Sequence, residues 1–442
     1  MDERITRFQG TPGSDEFERR LDQMVHPADV AKRTHVVGSV SFTPFVMPSL
    51  LLRPEGHYVA FFDPDRWLTV AYRSTWGDSW CRVRLDSRLA WDSHNYAALG
   101  IDRSGNLHLA ANMHASPLVY FRTARPGDIS SFVRYDFMVQ GNDEGALTYP
   151  KFFADGSGAL TFWFRSGVSG AGVQRYYEWV DRSSVWIDSI GGALIDGEGV
   201  RSPYPDLYQP HRVEERHNAM TWVWRDSPDA ESTHTICYAT SDRFDAWRNA
   251  DGAPLDLPIR FGSDAEVGEW GVGRGLINNN VRIGHSASGM PVIVFHVRDE
   301  AGRLQLVSLR YQSGWIRRVI TEWDVVWDFG GRGSLRFDLE IGVPLVTDAG
   351  YHVDVRYMDE VVRVFHDLTS DEVSTLAAIP PWNGLTMVGD GASVRGIQHS
   401  QSGGGFLTWL SSPPDRDKPQ TNSPQQEPSS LVLLRYLDGN TA

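Results

Sequence analysis

The chain has 442 residues, 41% of them hydrophobic, with 16 Trp, 42 Gly, 24 Pro, two cysteines and a formal net charge of -14. That length buries a sizeable core, and the aromatic and turn-forming content favours short strands over long helices. The acidic balance excludes a nucleic-acid binder that works by neutralising phosphates, and two cysteines exclude a disulfide framework.

Residues 1–35 read as a polar, partly helical lead-in. They contain no apolar h-region, and no run of about 18 uncharged apolar residues follows anywhere. The expectation is a cytoplasmic chain without a membrane span, or a secreted one if a signal was trimmed.

From residue 36 to 442, short alternating runs recur, most neighbours lying about fifty residues apart. They are GHYVAFFD from Gly56, GNLHLAAN from Gly105, GALTFWFR from Gly158, HNAMTWVWR from His217, GMPVIVFH from Gly289, GVPLVTD from Gly342 and GGFLTWL from Gly404. Seven such units, each with room for four strands, predict an all-β, seven-bladed β-propeller; a pair of β-sandwiches is the alternative. Residues 238–249, YATSDRFDAWRN, have the Ser-Asp to Trp pattern of a worn Asp-box hairpin. A Pro, Gln and Ser-rich flexible loop near 411–428 precedes SSLVLLRYL, a strand placed to help close the ring.

Cross-strand partners in a tight hairpin are equidistant from its turn. His94 and His114 are equidistant from Ser104 in the turn DRSG, and Tyr149 and Arg165 from Ser157 in DGSG. Each pair should therefore meet at the open end of its hairpin. Blades run in one sense, so both pairs should lie on one face of adjacent blades. A single His, Tyr or Arg at a strand end is usually an ordinary rim residue; the coincidence of four is what points to chemistry.

These groups suit proton abstraction beside a carboxylate. In β-elimination on a uronic acid, Arg165 would neutralise the carboxylate through two charge-assisted hydrogen bonds. Tyr149 or a neutral His would take the C5 proton and return one to the leaving oxygen. No metal or nucleotide is needed for that step.

The motifs DSHNYAALGIDRSGNLHLAANMHASPLVYFR, LTYPKFF with FWFRSGVSGAG, MTWVWRDS and THTICYATSDRFDAWRNADGAPLDLPI, spanning residues 91–259, resemble the BNR-repeat propellers of the ulvan lyases, polysaccharide lyase families 24 and 25. The resemblance implies elimination at a uronate beside rhamnose, with the two-histidine, tyrosine and arginine roles on His94, His114, Tyr149 and Arg165. It also implies a substrate-contacting tyrosine at Tyr204 or Tyr208, and a structural zinc for which His234 and Cys237 have plausible spacing. Ala219 stands where a zinc-binding His is usual. Either His217, His285 or His296 completes that site, or Cys237 is simply buried and His234 hydrogen-bonded.

Lys151 and Asn95 are further substrate-binding candidates, one to hold an anionic sugar and the other to bond its carboxylate. The glycine turns GVGRG at Gly271 and GGRG at Gly330 lack the strand-turn-helix setting of a nucleotide loop and read as propeller turns. The partner expected is an anionic oligo- or polysaccharide, with no nucleic acid and no membrane, acted on by a monomer. Competing readings are a glycoside hydrolase, which needs two carboxylates about 5 to 9 Å apart, and a non-catalytic sugar-binding propeller.

Overall fold

The computed structural model describes residues 33–40, 46–89, 92–154, 159–208, 218–358, 360–377, 387–389, 392–400, 403–410 and 429–436. The lead-in before residue 33 and the loop 411–428 fall outside them. The strands form seven antiparallel sheets. Their four-stranded meanders follow the Gly-punctuated alternation of the sequence, as in Ser49–Leu52, Gly56–Phe62, Trp67–Ser74 and Cys81–Arg88 of the first sheet. The fold is the expected seven-bladed β-propeller. One repeat was misplaced: in the sixth sheet the long buried strand is Gly350–Tyr357, and GVPLVTD supplies only the three-residue strand Leu345–Thr347 that pairs with it.

The chain divides into two compact units. One holds the first, second and seventh sheets, the strands of the third from His114–Ser116 to Ile195–Asp196, and the segment Arg332–Arg336. In it the seventh sheet is completed by strands from both ends of the described chain, Ser429–Tyr436 lying between Gly403–Leu410 and Arg33–Val40. The last three lead-in residues thus belong to a strand.

Apolar cores fill the spaces between neighbouring sheets of this unit. Val59 and Phe61 pack with Leu407, Trp409 and Leu431, while Tyr58, Phe62 and Val70 pack with Leu99, Leu109 and Phe121. Ala110 and Met113 join Phe162, Phe164 and Trp179. Each of the larger aliphatic and phenylalanine side chains contributes roughly 1.5 to 3 kcal/mol by leaving water. Gly100 sets one of these spacings, because a Cβ there would lie 2.7 Å from the Cβ of Phe152.

The other unit holds the fourth to sixth sheets. Its worn Asp-box forms as read: Ser241 Oγ donates within the turn to the carbonyls of Arg243 and Ala246, and Trp247 Nε1 donates to Phe244 O at 2.8 Å. His296 is buried with Nε2 at 2.9 Å from the Asn280 amide nitrogen, and that amide oxygen accepts from Ile341 N. Burial, aided by Arg298, lowers the His296 pKa to about 3, and burial with Arg363 lowers that of His352 to about 4.

Both values lie below the ordinary 6.5, so the unfolded chain binds the extra protons. Their contribution to stability is intact above about pH 6.5 and is lost as pH falls toward the folded values. Each should cost about 2 kcal/mol by pH 5. Urea midpoints measured from pH 7 to 5 should fall accordingly, and His296→Gln should flatten the slope; an unchanged slope would refute the assignment.

Candidate active site

The site lies in the first unit, where the second and third sheets meet. The hairpin Ala97–Ile101 with Leu107–Ala111 pairs Ala97 with Ala111 and Ile101 with Leu107, the register centred on Ser104. Its open end brings the two imidazoles together: His94 and His114 stack with centroids 4.1 Å apart. Asn112 turns the chain there at φ 60°, its side-chain amide donating to Ser87 Oγ and Arg88 O. Ala115 follows at φ 46°. Such left-handed residues cost on the order of 1 kcal/mol each and persist because neighbouring bonds hold them.

The second hairpin departs from its expected register. Lys151 pairs with Trp163 and Ala154 with Leu160, as centring on Ser157 requires, but Thr148 and not Tyr149 faces Arg165. The cause is a bulge at Tyr149 and Pro150: proline has no N–H for the ladder, and Tyr149 takes φ 60°. The bulge re-aims the phenol. Tyr149 and Arg165 still meet, the guanidinium carbon lying 4.9 Å from the ring centroid, and the Tyr149 ring is 5.7 Å from that of His94. All four expected groups therefore converge.

Thr148 links the two halves. It pairs with His114 on one side of its strand and with Arg165 on the other. Its hydroxyl accepts from Ala115 N at 2.8 Å and from the Arg165 guanidinium at 3.0 Å. Arg165 is almost fully buried, and Gly172 makes room for it, since a Cβ there would lie 3.0 Å from Arg165 Cδ.

The residue that sequence reasoning missed is Asp92. Its Oδ1 lies 2.6 Å from His94 Nδ1, and its Oδ2 is in short contact with His114 Nδ1. Burial alone would raise its pKa, but hydrogen bonds from His114 and His94 outweigh burial and hold the carboxyl far below the usual range. An ionised Asp92 accepts only, so each Nδ1 carries a proton, and a ring in its neutral form has its lone pair on Nε2. The signal was the Asp-x-His spacing beside a second histidine. Among the described residues these three are also the one group of three metal-type donors brought together; both carboxylate oxygens are already engaged by the ring nitrogens.

The remaining candidates are dispersed. Asn95 is buried, with its backbone tied to Asp92 and Asn112, so it shapes the loop. Lys151 is half-buried on its strand. In the other unit, Tyr204 is buried with the Arg225 guanidinium carbon 4.6 Å from its ring centroid, and the side chain of Tyr208 lies outside the described residues. His234 meets Asp226 through Nε2 and Thr235 through Nδ1, both at 3.0 Å. Cys237 is fully buried, and burial pushes its thiol pKa well up. His285 contacts the Tyr238 hydroxyl and His296 the Asn280 amide, while His217 lies outside the described residues. The expected ligands do not assemble into a group of three donors among the described residues.

No curated protein sequence matches the chain. Among solved structures, it is similar to the polysaccharide lyase Uly1, with TM-score 0.62 and 12% identity over 98% of this chain and 97% of that one. It is also similar to a PL25 ulvan lyase, with TM-score 0.60 and 14% identity over 86% of this chain and 93% of that one. The same likeness holds for that PL25 enzyme bound to -[GlcA(1-4)Rha3S]-. At these identities the likeness establishes the fold. The model of the BNR repeat-containing family matches residues 56–323, more than half the sequence, and the chain accordingly belongs to that family.

Proposed function

We propose that the protein is a polysaccharide lyase that cleaves a uronate-containing glycan of the glucuronate- or iduronate-rhamnose type by β-elimination. The observation that carries this is the grip of Asp92 on two stacked imidazoles, beside a tyrosine stacked on a buried arginine. Arg165 would neutralise the uronate carboxylate, making the C5 proton acidic. Tyr149 or an imidazole Nε2 would take that proton, the C4–C5 double bond would form as the C4–O bond breaks, and the departing oxygen would receive a proton.

In glucuronate the C5 hydrogen and C4 oxygen share a face, so Tyr149 serves both transfers. In iduronate they lie on opposite faces, and His94 or His114 supplies the second group. Arg165 provides the positive charge, and the step needs no metal. The likeness to lyases, one of them holding a glucuronate-rhamnose sulfate oligosaccharide, supports the substrate class. A hydrolase reading is disfavoured because Asp92, held ionised, cannot be the general acid that glycoside hydrolysis needs.

The test is incubation with glucuronate-rhamnose polymers while following ultraviolet absorbance. Elimination yields a conjugated unsaturated uronate that absorbs. New reducing ends without absorbance, or no cleavage at all, would overturn the proposal.

A further inference from the structure

The turn GGRG reads in sequence as a propeller turn, yet the segment it opens belongs with the site. Arg332–Arg336, RGSLR, groups with the unit that carries Asp92, His94, His114, Tyr149 and Arg165, although its sequence neighbours on both sides group with the other unit. Ser334 is its anchor. It is buried, its Oγ is in short contact with Ser93 Oγ, and it lies 3.4 Å from His94 Nδ1. Gly333, at φ 80°, makes the turn that delivers Ser334 inward; a side chain at that φ is strained. On either side of the anchor, Arg332 and Arg336 are exposed.

Two residues of chain span at most about 7 Å, so both arginines spring from backbone close to the His94 ring. The segment carries two guanidiniums and no carboxylate, in a protein whose net charge is -14. A polyanion approaching such a surface is repelled except where positive charge is concentrated. Arg165 is buried and, in the reading above, occupied by the carboxylate of the sugar being cut. An anionic group on the neighbouring sugar needs a different receiver, and arginine grips sulfate or carboxylate oxygens in pairs.

We infer that Arg332–Arg336 is a substrate strap, in which Ser334 docks the segment beside His94 while Arg332 and Arg336 bind an oxyanion on the sugar next to the one cleaved. The oxyanion is a sulfate ester or a carboxylate. The inference rests on the lyase reading for the substrate class but has its own readout.

The experiment compares wild type with the Arg332→Gln/Arg336→Gln double variant on a sulfated glucuronate-rhamnose oligosaccharide and on its desulfated form. Binding is measured by calorimetry and elimination by absorbance. The strap predicts at least tenfold weaker binding by the double variant, appearing in KM far more than in kcat. A loss confined to the sulfated oligosaccharide identifies the sulfate ester, and an equal loss on both identifies the carboxylate. Equal affinity of the two proteins for both oligosaccharides, including no binding by either, overturns the strap. Absence of elimination by wild type overturns the lyase reading instead, and the calorimetric comparison still judges the strap.

Discussion

Tyr149→Phe should lower the rate of elimination by about two to four orders of magnitude, the usual cost of one well-placed acid or base, with the fold intact. In the proposed mechanism the loss should appear in kcat, because the phenolic oxygen would act on the proton in flight while the ring remains to stack on Arg165. Arg165→Ala should cost at least as much, since the carbanion-like intermediate then lacks its neutralising charge. Because Arg165 is buried and bonded to Thr148, Arg165→Lys provides the second measurement. It retains the charge but not the two-pronged donor, and should stay well below wild type while unfolding at a similar temperature. Near-normal turnover by Tyr149→Phe and Arg165→Lys, on a substrate the wild type cleaves, would place the chemistry elsewhere.

Asp92→Asn is expected to be at least as severe as Tyr149→Phe, at about three to four orders of magnitude in kcat, the scale seen when a carboxylate that orients a catalytic imidazole becomes an amide. The neutral amide no longer obliges both Nδ1 atoms to carry protons, so the lone pairs on Nε2 are no longer assured. His94→Ala and His114→Ala should each impair elimination strongly. Residues acting as a unit are not additive, so combining Asp92→Asn with His94→Ala should cost little beyond the worse single change. Multiplicative losses would show that the carboxylate and imidazole act independently.

Much of this site was legible because hairpin symmetry is a property of the chain index. The pairing of His94 with His114 follows from an unbroken ladder between Ala97–Ile101 and Leu107–Ala111. That symmetry breaks by one residue at Tyr149, where Pro150 removes a donor and the backbone absorbs the extra residue at positive φ. Proximity survived because the slip moves backbone partners while the arginine reaches across to the displaced ring. Asp92 escaped notice because it precedes the strand and obeys no strand periodicity. Ser334 carried no local signal, as its contact with His94 joins parts of the chain 240 residues apart in sequence. Spacing along Thr233–Arg243 suggested His234 and Cys237 as a pair, and the φ of 48° at Thr235, with the register shift beside it, is a local departure that strand periodicity does not show.

The seventh sheet has a consequence for synthesis on the ribosome. Arg33–Val40 pairs with Ser429–Tyr436, with Arg33 opposite Arg435, so the earlier strand finds its ladder partner only after every other described strand has been translated. Until then Leu50, Val59 and Phe61 lack the cover of Leu431 and Leu433, and the nascent chain presents an unpaired edge beside an open apolar face. A ribosome stalled before codon 429 therefore holds a protein whose site-bearing sheets are already encoded but whose first sheet is still sticky, and chaperone capture should concentrate there.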